Sequence, residues 1–171
     1  FVKGGPNTAP DTQDSKIKPL FGTSNILDPK ENRESNLLLD GNSGVTVEFW
    51  LKKDNLSRSQ KQVIFDLWNN SNIDSDYGRF RVELHPGISG EEDKFFIEMS
   101  SGSNITNNIS IGQDLTISDS NWNFYSITAI NTGSNIQFRL FKNGDPNDVV
   151  ITGSAIDRVY GPMLGWIGAL G

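Results

Sequence analysis

Period-two alternation is the feature of this chain that most limits its fold. Val45, Val47, Phe49 and Leu51 alternate with Thr46, Glu48, Trp50 and Lys52, so an extended strand sends the two sets to opposite faces. The pattern recurs. KQVIFDLWNN at 61–70 directs Val63, Phe65 and Leu67 one way and Ile64, Asp66 and Trp68 the other. GRFRVELHP at 78–86 points Phe80, Val82 and Leu84 inward and leaves Arg79, Arg81 and Glu83 to face solvent or another element. KFFIEMS predicts a strand through Phe96. NWNFYSITAI at 121–130 carries two apolar registers, Trp122, Phe124 and Ile130 in one and Tyr125, Ile127 and Ala129 in the other. NIQFRLFKNG alternates Ile136, Phe138 and Leu140 with Gln137, Arg139 and Phe141. NTG at 131–133 and Asn143-Gly144 supply tight reversals on either side of it.

Short segments at 108–111 and 114–117, then VVITG, AIDRVYG and LGWIGALG, bring the expectation to ten to twelve strands. One sheet holds that number poorly. The predicted fold class is therefore all-β, a two-sheet antiparallel β-sandwich with Val47, Phe49, Phe65, Phe80, Val82, Phe96, Phe124, Phe138 and Leu140 on the buried side.

Composition agrees with many reversals. Asn (18), Ser (18) and Gly (17) make up 53 of the 171 residues, and these types favour turns and side-chain to backbone bonding over long helices. The length suits one domain. Residues 1–36 hold four of the seven prolines and no sustained period, and read as an extended arm or linker, with 1–16 lying on a neighbour. The sandwich is assigned to 37–171. The start FVKGG and the apolar end GWIGALG suggest an excerpt of a larger protein.

With 15 basic and 21 acidic residues the net charge is −6 and there is no polybasic run, which disfavours capture of nucleic acid or an anionic membrane. No apolar run is long enough for membrane insertion. There is no cysteine, so a disulfide framework, a thiolate metal site and a thiol nucleophile are all excluded.

The chemistry-bearing residues are few. His85, the single histidine, precedes Pro86 and reads as an ordinary surface or loop residue rather than a zinc ligand. Acids cluster only at Glu91 to Asp93 and at Asp74 and Asp76, both in turn-rich loops, while Glu48 and Glu98 stand alone on their strands. A glycosidase needs two facing carboxylates, one with a raised pKa, and no such pair is evident. No cofactor is implied. Calcium is the one candidate metal, held by Asp74, Asp76 and loop carbonyls or by Asp93 with Glu91, because hard oxygens are what it takes.

Among the aromatics, Trp50 and Trp122 read as packing between the sheets. Trp68 remains open between that role and stacking on a sugar. Trp68 and Tyr77 bracket the polar loop 69–76, and with Asn69 and Asn70 they form the candidate ligand site, a flat ring beside amides.

Several phrases resemble the laminin-G-like branch of the concanavalin A-like lectin/glucanase superfamily. VTVEFWLK, with Thr46, Glu48, Phe49 and Trp50 after Leu37 to Leu39, resembles its opening strands. Trp122 and Tyr125, then Phe141 with Asn143 and Gly144, and finally Gly165, Ile167 and Gly168 resemble its later phrases, over residues 37–171. The resemblance implies a two-sheet jelly roll with an optional rim calcium and no activity. The E-x-D-x(-x)-E strand of the family's glucanases is missing, and so is the arginine-bearing closing phrase, which implies that more chain follows.

Together these readings predict a non-catalytic structural or recognition module of a larger surface assembly, a virion decoration or appendage. The alternative is a carbohydrate-binding, lectin-like module of an extracellular protein. The expected partners are other subunits of the assembly or a glycan, at an extracellular or virion surface.

Overall fold

The computed structural model describes residues 2–3, 39–54, 61–69, 77–85, 93–159 and 163–168. These form ten strands and no helix, so no helix among them is long and apolar enough to cross a membrane. In chain order the strands are β1 Val2–Lys3, β2 Val45–Leu51, β3 Gln62–Trp68, β4 Gly78–Leu84 and β5 Phe95–Ser101. They continue as β6 Asn104–Ile111, β7 Asn123–Thr132, β8 Asn135–Lys142, β9 Asp145–Thr152 and β10 Leu164–Ile167.

Every pairing is antiparallel. One sheet runs β1-β10-β3-β4-β5-β6 and the other β2-β7-β8-β9. Their inner faces share one core: Phe80, Val82, Phe95, Ile97 and Met99 from the first meet Tyr125, Ile127, Ala129, Phe138 and Leu140 from the second. Phe95 bridges the layers, its ring 5.6 Å from Phe49 and 5.0 Å from Tyr125, both edge-on. The predicted all-β antiparallel sandwich is the observed fold. Of the 1–36 arm only Val2 and Lys3 are described, and they pair with Gly165 and Leu164 at the edge of the six-stranded sheet.

The turns follow the composition. Asn143 (φ 54°) and Gly144 (φ 91°) close the β8–β9 hairpin, a two-residue turn with positive φ at both positions. Asn131 shows why asparagine is abundant. Its amide donates to the Asn42 side chain and to the Ile156 carbonyl, and its oxygen accepts from the Ile156 N–H, so one side chain ties β7 to two loops.

The structure corrects several strand-level expectations. In β7 the register turned inward is Tyr125, Ile127 and Ala129; Phe124 lies on the outer face, paired with Trp50. Both registers of that segment are apolar, and the neighbour decides: with Phe49 inward, its partner Tyr125 is inward too. Trp50 and Trp122, expected between the sheets, are 64% and 65% exposed. Phe96 is buried, but on the outer face of its sheet against His85, while Phe95, Ile97 and Met99 fill the core.

In β3 the register shifts between Val63 and Phe65. The extra residue brings Val63 onto the face of Glu83 and packs Ile64 against the core with Phe65, a reversal that alternation alone does not foresee. The loop expected at SGSNITNN is mostly strand. Gly102 (φ 57°) makes a tight reversal and Asn104 already pairs with Ser101. Residues 114–117, and the described part of AIDRVYG, 155–159, expected as short strands, are irregular.

Candidate functional site

Outward positions of the six-stranded sheet collect the charges that alternation placed opposite the core. Asp66, Arg81 and Glu98 are successive partners across β3, β4 and β5, with Trp166 of β10 beside Asp66. The next row holds Trp68, Arg79, Ser100 and Ile105. On a sheet face left open to water these side chains would be solvated. Instead Asp66 is fully buried and Glu83 is 3% exposed.

Such burial is tolerable only because the charges are paired with good geometry. Arg79 donates Nε and Nη2 to the two oxygens of Asp66 at 2.7 and 2.6 Å, a bidentate fork. Burial alone would lower the Arg79 pKa, but hydrogen bonds with Asp66 and Tyr77 override it and hold the guanidinium more firmly charged than usual. Glu83 is the second hub. Its carboxylate accepts from Lys61 Nζ at 3.1 Å, meets His85 Nε2 at 2.8 Å and has Arg81 Nε at 3.4 Å, while Arg81 also pairs with Glu98. Burial would raise the pKa of Glu83; the bonds from His85 and Lys61 and the charge of Arg81 win and lower it.

His85 lies just past the end of β4, as a loop histidine would, but its side chain is not at the surface. Its side chain is 8% exposed, and its ring stacks on Phe96 at 3.9 Å, nearly parallel. The imidazole is committed to a carboxylate and an aromatic face, an arrangement that serves packing and hydrogen bonding.

At the β10 side of this network lie the aromatics. The Trp68 and Trp166 rings are 6.4 Å apart and tilted by 37°, and the Arg79 guanidinium carbon sits 5.8 Å from the Trp68 ring. Both indoles are half-buried. The structure thus joins Trp68 to Trp166 and Arg79, neither of which alternation along one strand places beside it. Tyr77 reaches Arg79 from the start of β4.

Asn69 has a structural role where a ligand amide was expected. It is buried, its Oδ1 accepts from the Gly78 N–H and its own N–H donates to the Gly78 carbonyl, so it closes the base of the loop. Asn70, Asp74 and Asp76 lie outside the described residues. Asp93, the other calcium candidate, accepts the backbone N–H groups of Ile117 and Ser118 and the Ser118 hydroxyl through Oδ1, and so caps the irregular segment after β6. Among the described residues no group of three or more histidine or acidic side chains is placed to hold a metal ion.

A cleft of about 470 Å³ opens at the end of the sandwich, lined by Leu51, Lys53, Lys61, Gln62, Val63, Ile64 and Gly168. Lys53 donates to Gln62 at 2.6 Å and Lys61 is held by Glu83, so both ammonium groups have acceptors within the protein.

The sequence signal for the charged network was the run Arg79-x-Arg81-x-Glu83, three charges on the outward positions of a strand facing Asp66 at an outward position of its neighbour. What could not be read was their pairing, which depends on register. No family model matches this chain, and none of the curated proteins matches it.

Proposed function

We propose that this protein is a non-catalytic recognition module displayed on a larger surface assembly such as a virion, and that it takes a carbohydrate on the outer face of its six-stranded sheet. The observation that carries this reading is the Trp68–Trp166 pair set beside the Asp66–Arg79 fork. Indole faces suit the C–H surface of a sugar ring, and a guanidinium held in one orientation has more N–H groups than Asp66 and Tyr77 take up, leaving donors for hydroxyl oxygens. The residues are pre-positioned by buried ion pairs, which lowers the ordering cost of binding.

The electrostatics support recognition over hydrolysis. A glycosidase acid must keep its proton near neutral pH, whereas Glu83 is surrounded by cations that favour its ionised form. The resemblance to the laminin-G-like jelly roll supports the same class of module.

A glycan-array screen with and without calcium tests the proposal, repeated on Trp166→Ala and Trp68→Ala after circular dichroism has established that each folds. Glycans retained by the wild type and lost in both variants support it. Retention of no glycan in either condition, or binding unaffected by both substitutions, rejects it. Release of reducing ends from a retained glycan would reject the non-catalytic part.

A further inference from the structure

The outer face of the four-stranded sheet has the opposite character. Its rows, read across β2, β7, β8 and β9, are Thr46, Thr128, Arg139, Val149 and then Glu48, Ser126, Phe141, Pro146, with Trp50 and Phe124 paired in the next. Trp50, Val149 and Ile151 are each more than half exposed. Trp122, at 65% exposed, precedes Phe124 in the same register, and the rings of Trp50 and Phe124 lie 5.5 Å apart. The face is mixed: exposed apolar side chains stand at its two ends, Trp50 and Trp122 at one and Val149 and Ile151 at the other, with Thr46, Glu48, Ser126, Thr128 and Arg139 between them.

Two opposite charges sit within these rows. Glu48 and Arg139 are both exposed, and neither forms an ion pair among the described residues; Arg139 bonds only its neighbour Gln137. They stand two strands and one row apart, too far to meet within one sheet at spacings of about 4.8 Å and 6.8 Å. Trp50 and Val149 stand three strands and two rows apart, in nearly the same diagonal direction. On this lattice the perpendicular bisector of the Glu48–Arg139 diagonal passes through the midpoint of the Trp50–Val149 diagonal and lies within about 8° of being perpendicular to it. A single two-fold axis lying in the face and crossing β7 between Ser126 and Thr128 therefore sets Glu48 against the partner's Arg139 and brings Trp50 close to the partner's Val149.

We infer that this face pairs with a second copy of the chain in an isologous dimer. A two-fold contact is the arrangement in which an unpaired acid and an unpaired base carried on one face are both satisfied at once. Four strands of about eight residues span about 20 Å by 25 Å, so two copies would bury about 1,000 Å², the lower limit for a specific interface. The inference does not rest on the glycan reading, because the two faces are on opposite sides of the sandwich. The dimer would present both six-stranded faces outward.

Sedimentation velocity of the full chain across a concentration series tests it. The wild type should dimerise, and Glu48→Arg and Arg139→Glu alone should each associate at least tenfold more weakly, as should Trp50→Ser. Mixing the two charge-reversal variants should restore dimers, since each copy then supplies what the other's reversed residue needs. Each reversal moves the net charge of −6 by two, to −4 and −8, so both variants remain acidic and long-range attraction does not explain recovery. Thermal melts establish that each variant folds. A wild type that stays monomeric throughout, a dimer indifferent to both reversals, or a mixture that fails to recover would each overturn the inference. So would a stable complex formed only with a different protein.

Discussion

The two outer faces of this sandwich are built by the same alternation and come out opposite. Outside the six-stranded sheet charged side chains are hidden: Asp66 and Glu83 are withdrawn from water and held in ion pairs, and the His85 side chain is buried beside Glu83. Outside the four-stranded sheet polar and apolar side chains are mixed, Trp50, Val149 and Ile151 face water, and Glu48 and Arg139 are unpaired among the described residues. The contrast teaches that residue polarity does not decide burial here. Charges are buried where cross-strand neighbours complete them, and tryptophans are exposed where no layer covers them.

The largest test of that contrast is Asp66→Ala. It leaves Arg79 in place with its fork unfilled, and removal of one partner of a buried pair costs about 3–5 kcal/mol. Urea denaturation should show this loss, and Asp66→Leu with Arg79→Met should recover most of it, because an apolar pair needs no counter-charge. A loss of less than about 1 kcal/mol would mean that the network is solvated after all.

Phe96 and Phe124 make a matched comparison, one phenylalanine on each outer face. Phe96 is 5% exposed and stacked on His85, so Phe96→Ala should cost about 3 kcal/mol. Phe124 is half-buried against Trp50, and Phe124→Ala should cost about 1 kcal/mol in the monomer. Equal costs, measured at a concentration where the chain is monomeric, would erase the difference between the faces.

Acid should expose the role of Glu83. Its folded pKa is lowered, so its contribution to stability is complete above the ordinary carboxylate pKa of about 4.3 and is lost as pH falls through the folded value. Melting temperature followed from about pH 6 to about pH 2 should therefore fall more steeply in the wild type than in Glu83→Gln, which has no proton to take up there. Parallel curves would assign the acid sensitivity to other carboxylates.

The smallest effects belong to the exposed pair. Glu48→Ala and Arg139→Ala should each change the stability of the monomer by less than about 0.5 kcal/mol, as surface substitutions do. A larger loss would show that these residues act within one copy.

Much of the fold was legible because strand periodicity is local. Val45–Leu51 and Gly78–Leu84 each contain one apolar face and one polar face, and both adopt the orientation expected. The hairpin at Asn143-Gly144 was equally readable, since its positive φ values suit those two residue types. Residues 121–130 were not, because apolar side chains occupy both registers, and the Ile64 bulge left no mark in the pattern. Of the candidate ligand residues Trp68, Asn69, Asn70 and Tyr77, the pattern does not reveal that the Asn69 oxygen accepts from the Gly78 N–H nine residues on, because that bond depends on how the two strands pair.

By itself the sequence determined that this protein is made of antiparallel strands, with reversals at its Gly and Asn positions, and that Phe80, Val82, Phe138 and Leu140 belong to the core. Those properties follow from side-chain alternation and backbone preference within a few residues. Tertiary structure alone decided that Trp68 meets Trp166, almost a hundred positions away, and that Asp66 takes Arg79. It also decided that Trp50 faces water. A strand's outward side chains acquire partners only when distant strands pair in one register, and a shift of one residue would turn the charged face toward the core.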